Sequence, residues 1–245
     1  MKGLIMTLQG TTTLVVGGSS GIGLATALAV QLQGGHVLLA GRDQERLRAA
    51  QFRLNAEGNE VHIFSVDVTA EPDVRDLLLL LPRFDHLVST AGAGWSGQIS
   101  SVHTHAARAA FDGKFWSKVF LAKYAASKLP TGGSITFVSG TLGERPAGGA
   151  GITSAANAAV NALVKTLALE LAPLRVNAVS PGLIATEAYA SMTAEARDAM
   201  YQRAAATLPV GRVGRPEDVA QVITMLMLNP FVTGSVVSVN GGATL

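Results

Sequence analysis

The stretch VVGGSSGIG, residues Val15 to Gly23, decides how this chain is to be read. It closes a β-branched run, TTLVV from Thr12 to Val16, and opens an alanine-rich stretch from Gly21 whose apolar residues recur at three and four. A glycine-rich turn between a strand and a helix lets the backbone approach a pyrophosphate closely, while the helix N-terminus adds unpaired amides and a positive dipole. The same glycines would also serve a tight turn that merely needs positive φ. Strand-turn-helix context is what favours nucleotide binding.

Working outward, the alternation repeats along the chain. TTLVV, HVLLA, EVHIFSV, HLVST, SITFVS, RVNAVS and SVVSV read as seven strands. Helical stretches begin near Gly21, Asp43, Glu71, His103, Gly151 and Pro216, with another inside 187–207. Strands separated by helices imply βαβ units and a parallel sheet covered on both faces. The expectation is α/β: a single Rossmann-type, doubly wound domain over 1–245, with no internal repeat or linker.

Composition narrows the setting. Of 245 residues, 48% are hydrophobic, enough to bury a full core. A net charge of +2, from 19 basic and 17 acidic residues scattered along the chain, asks for neither nucleic acid nor a membrane. Zero cysteines exclude disulfides and thiolate chemistry and fit a cytoplasmic location. The N-terminal MKGLIMTLQG has too short an apolar run for a signal peptide, and LLLLL at Leu77 to Leu81 is far below a membrane span. His103 and His105 lack a nearby carboxylate signature, so no metal site is expected.

The glycine spacing is Gly17, Gly21, Gly23, a Gly-x-x-x-Gly-x-Gly pattern that resembles the short-chain dehydrogenase/reductase family. The resemblance covers almost the whole chain: VDVT at Val66 to Thr69, STAG at Ser89 to Gly92, NAVSPGLIAT at Asn177 to Thr186, GRPEDVA at Gly214 to Ala220, and VNGG near the C-terminus. It implies that Ser19, Ser20 and Ile22 line the phosphate turn with those glycines, and that Asp67 and Val68 hold the adenine. It places Ala91 and Gly92 beside the adenosine, and Pro181, Gly182, Ile184 and Thr186 at the nicotinamide. The segment from about 183 to 210, with Tyr189 and Tyr201, is expected to form a substrate lid.

Cofactor choice rests on AGRDQERL at the end of the second strand. Ala40 and Gly41 stand where an acidic residue would accept from ribose hydroxyls, and Arg42 follows. A guanidinium there can pair with a 2′-phosphate, so NADP(H) is preferred, with NAD(H) possible. Alternatively, Arg42 is a solvated loop residue before Asp43, which could cap the next helix.

Proton transfer is harder to place. KYAASK, Lys123 to Lys128, offers Tyr124 and Lys128 at helical spacing. Yet at about 1.5 Å per residue Tyr124 falls roughly 15 Å along the helix from Lys114, toward the edge of the sheet opposite the ligand side. The pair reads as a decoy. Aligned by the resemblance, Thr153 takes the family's tyrosine position, Asn157 its lysine position, Gly140 its serine position with Ser139 next door, and Lys114 its helix asparagine position. Neither Thr153 nor Asn157 can do the chemistry of the residue displaced.

Lys114, flanked by Phe111, Phe115 and Trp116, could be desolvated and so become a proton donor, with Ser139 and Thr153 assisting. Equally, it could only satisfy backbone carbonyls or pair with Asp112 or Glu144. Two classes follow: an NADP(H)-dependent oxidoreductase of a small-molecule carbonyl or alcohol with an unusual proton donor, or a catalytically silent dinucleotide-binding protein acting as a redox-responsive regulator or an assembly subunit. The resemblance further implies a homodimer or homotetramer, packed through the helices carrying Lys114 and Asn157.

Overall fold

The computed structural model describes residues 7–56 and 60–245. The apolar run at the head of the N-terminus, residues 4–6, lies outside them. Seven strands form one all-parallel sheet: β1 (Thr12–Val16), β2 (His36–Gly41), β3 (His62–Ser65), β4 (His86–Ser89), β5 (Ser134–Val138), β6 (Arg175–Pro181) and β7 (Val236–Val239). Their spatial order is β3-β2-β1-β4-β5-β6-β7, so the winding reverses between β1 and β4. A reversal of that kind leaves a crevice beyond the strand ends.

The central strands are buried on both faces, which is why they read as near-continuous apolar runs rather than alternating ones. One layer packs Leu121, Ala122, Val160 and Val164 against Leu14, Leu87, Ile135 and Val176; the other packs Ala27, Val30, Val219 and Ile223 against Val15, Val88 and Val179. The helices are α1 (Gly21–Leu32), α2 (Gln44–Asn55), α3 (Glu71–Leu80), α4 (Thr104–Phe111), α5 (Ser117–Ala125), α6 (Gly151–Glu170), α7 (Ala194–Thr207) and α8 (Pro216–Leu228); α4 and α7 contribute nothing to these two layers. Among the described residues α6 alone has the length and apolarity to cross a membrane, and it lies in the helical layer against β6 and α4.

Asp43 caps α2 by accepting from Arg46 N at 3.0 Å. The helix expected from His103 is not regular: α4 and α5 are joined by a π-helical turn, Asp112–Trp116. A widened turn of this type is common at functional sites. Here it presents Gly113 to the loop after β4, where a Cβ on Gly92 would lie 2.5 Å from Gly113 O. Gly92 also has φ of +112°, so both its conformation and its neighbour require glycine.

Candidate active site and cofactor cleft

A cleft of about 470 Å³ opens at the carboxyl ends of β1, β2 and β4. It is lined by Gly17, Ser19, Ser20, Arg42, Val68, Ala91 and Gly92, seven residues expected from the sequence, together with Asp43, Arg46, Thr69, Thr90 and Trp95. Its size suits a cofactor-like ligand.

The glycine turn forms the floor. Gly17 sits at φ +84°, and a Cβ there would lie 2.6 Å from Thr90 Oγ1, the hydroxyl that donates to Gly17 O at 3.0 Å. Gly23 packs beneath Gly17, where a Cβ would strike the Gly17 carbonyl. Ser20 is the N-cap of α1 but makes no side-chain capping bond, and the first-turn amides at Gly21, Ile22 and Gly23 face no intrahelical acceptor. Thr186 stands over this turn: a Cβ on Gly21 would lie 3.2 Å from Thr186 Cγ2. Asp67 accepts from Thr69 N and Oγ1 at 3.0 and 2.8 Å. Burial raises its pKa, but the Thr69 bonds and the Arg42 charge outweigh that and hold the carboxyl below its usual value.

Pro181, Gly182 and Ile184 lie on the other flank, outside this cleft. Gly182 packs on Asn240, and Ile184 bridges to Gly214 and helps line a second cleft of about 320 Å³ with Arg212 and Asp218. In the segment 183–210, expected from the sequence as a lid, the rings of Tyr189 and Tyr201 meet edge to face at 6.1 Å, and burial, then Tyr201, raises the Tyr189 pKa.

Lys114 extends from the π turn and donates to Ser139 O at 3.0 Å. Desolvation lowers its pKa to about 8. Ser139 is buried and directs its hydroxyl to Val179 O at 3.4 Å, so it meets Lys114 through its carbonyl. The Thr153 hydroxyl accepts from Trp95 N at 2.8 Å and donates to Trp95 O at 2.7 Å, pinning the loop after β4 to α6. Asn157, 2% exposed, lies against Gly140, where a Cβ would come within 2.8 Å of Asn157 Nδ2.

Tyr124 and Lys128 are both bonded to α3 and its C-cap. Tyr124 Oη donates to Glu71 at 2.9 Å beside the Lys123–Glu71 ion pair, and Lys128 caps α3 through Leu79 O and Leu81 O at 3.2 and 2.8 Å. Arg46 and Lys118 were not singled out by the sequence. Arg46 follows Arg42 by four residues in the first turn of α2, a proximity that could have flagged it, whereas Lys118 carried no such signal.

A sequence profile described as Enoyl-(Acyl carrier protein) reductase matches residues 16–244. A short-chain dehydrogenase/reductase of Stachybotrys chlorohalonatus, ATR9, is 35% identical over 98% of this chain and 99% of its own. The chain belongs to the short-chain dehydrogenase/reductase family. A 3-oxoacyl-[acyl-carrier-protein] reductase of Thermotoga maritima is 30% identical over 98% of this chain and all of its own. Among solved structures, a small-chain dehydrogenase in complex with NADPH is 40% identical, covers 96% of this chain and 98% of its own, and superposes with a TM-score of 0.82. An actinorhodin polyketide ketoreductase variant with NADPH is 27% identical, covers 96% and 97%, and has a TM-score of 0.88. This short-chain dehydrogenase/reductase is thus an oxidoreductase of a family whose NADPH complexes share its fold.

Proposed function

We propose that this oxidoreductase interconverts a small-molecule carbonyl and alcohol with NADP(H), and that Lys114 supplies the proton. The Lys114 amine carries the reading: it reaches the end of β5 and titrates near 8, close to a working pH.

The residues present fit the cofactor. Glycines at 17, 21 and 23 leave a cradle that a Cβ would fill, the α1 N-terminus offers free amides to a pyrophosphate, and Arg42 and Arg46 line the end of the cleft where a 2′-phosphate would need cations. When bound, NADP(H) supplies or accepts the hydride. The Lys114 ammonium has three hydrogens and commits one to Ser139 O, leaving others for a substrate oxygen. In reduction it gives that oxygen a proton; in oxidation the free amine takes one back.

On this reading Thr153, Asn157, Ser139 and Gly140 stand where the family's catalytic groups usually do, with altered roles. Thr153 holds the Trp95 loop, and Ser139 positions Lys114 through its carbonyl. Asn157 Oδ1 is buried without a protein partner among the described residues, and a ligand hydroxyl would satisfy it. Pro181, Gly182, Ile184 and Thr186 would close the nicotinamide side. Exposed Trp116 and Leu169 support burial against a second copy in a homodimer or homotetramer.

The test is NADPH consumption against a panel of aldehydes and ketones by the wild type and Lys114→Met. Turnover that falls about 10²- to 10⁴-fold in the variant supports the reading. A full rate in the variant overturns it. A wild type that binds NADPH but turns over no carbonyl favours a catalytically silent dinucleotide-binding protein.

A further inference from the structure

Lys118 is the one lysine among the described residues whose whole side chain is sealed inside the protein, at 0% exposure. It lies in the first turn of α5, four residues after Lys114 in the adjoining π turn, and both amines reach the same edge of the sheet. They diverge to neighbouring strand ends. Lys114 Nζ reaches Ser139 O just beyond β5, and Lys118 Nζ reaches Ala91 O just beyond β4, each at 3.0 Å.

The second contact falls at a consequential place. Ala91 and Gly92 line the cofactor cleft, and Gly92 packs directly on Gly113 in the π turn. The corner is therefore held to the helix twice, by the close glycine contact and by the Lys118 bond. An apolar residue would fill a site between Ser117 and Val119 without the cost of burying an amine. Among the described residues no carboxylate pairs with Lys118. Burial, and then the neighbouring Lys114 charge, hold its pKa well below that of an ordinary lysine, and the amine donates to a carbonyl in either protonation state.

We propose that Lys118 is a positioning residue that ties the Ala91–Gly92 corner of the cofactor cleft to the helix bearing Lys114. The π turn and the first turn of α5 then set both the cofactor wall and the amine beside it. This inference rests on the NADP(H) reading but not on Lys114 as proton donor.

The experiment compares NADPH affinity, by fluorescence titration, with thermal stability in the wild type, Lys118→Met and Lys118→Gln. Methionine keeps the length and removes the donor; glutamine keeps a shorter donor. Val74→Ala, a core truncation on α3, serves as the purely structural control. The expected result is an NADPH Kd about 3- to 10-fold weaker in Lys118→Met, with the melting temperature held or raised. Lys118→Gln should recover part of the loss, and Val74→Ala should lose stability at unchanged Kd. Unchanged NADPH affinity in Lys118→Met and Lys118→Gln overturns the inference while leaving the cofactor reading intact. An affinity loss that merely tracks stability, as in a general loosening, overturns it too. A wild type that does not bind NADPH at all overturns both.

Discussion

Lys114 Nζ lies 3.0 Å from the carbonyl oxygen of Ser139, joining the π turn between α4 and α5 to the end of β5. A carbonyl is a weak counterpart for an ammonium that has left water, and desolvation accordingly lowers the Lys114 pKa to about 8. The bond fixes the amine in place without neutralising it.

Activity should carry that pKa. The acid form is needed for reduction, so the rate of carbonyl reduction should fall as pH rises through about 8, while alcohol oxidation should rise over the same interval. Rate profiles in both directions, with cofactor saturating, check the sign. The limb near 8 should vanish from whatever residual rate Lys114→Met retains.

Gly140 and Asn157 are sterically coupled. A Cβ at 140 would lie 2.8 Å from Asn157 Nδ2, so Gly140→Ser should cost about 1–2 kcal/mol as the buried amide is displaced. Adding Asn157→Ala should make the serine nearly free of that penalty, and denaturant melts of the double-mutant cycle would show a coupling of similar size.

Thr153→Val keeps the shape of the side chain but removes both bonds to the Trp95 backbone. Stability should fall by about 1–3 kcal/mol, because the Trp95 N–H and C=O lose their partners. Tryptophan fluorescence should report a looser loop, and substrate KM should rise more than kcat falls.

Much of this was legible from residues alone. The β-branched runs located all seven strands because central parallel strands are apolar on both faces, and the Gly17, Gly21 and Gly23 spacing located the cleft. Tyr124 reads as a decoy from its distance along the helix; in the structure its hydroxyl is bonded to Glu71 at the start of α3. Lys118 was not legible, because a lysine among Val119, Phe120 and Leu121 reads as a side chain that snorkels to solvent. Only the fold of the loop after β4 supplies the Ala91 carbonyl that receives it. The π turn was hidden too, since one widened turn leaves no mark in the apolar periodicity and its contact with Gly92 joins distant segments.

Acid sensitivity should trace to His86. Its Nδ1 lies 2.8 Å from Ser134 Oγ, and burial, only partly opposed by Asp85, lowers its pKa from 6.5 to about 4. The unfolded chain therefore binds this proton first as pH falls. Stability should be unaffected above about 6.5 and should decline from there to about 4, by on the order of 3 kcal/mol. His86→Gln should flatten that part of the stability curve in urea melts run across pH.

The most direct measurement is a fluorescence titration of the wild-type protein with NADPH and, in parallel, NADH, repeated with Arg42→Ala. The expected result is saturable binding with NADPH favoured at least tenfold, about 1.4 kcal/mol, and that preference lost in Arg42→Ala while NADH affinity holds. Absence of binding to either nucleotide, or a preference for NADH, would contradict the NADP(H) oxidoreductase account at its root.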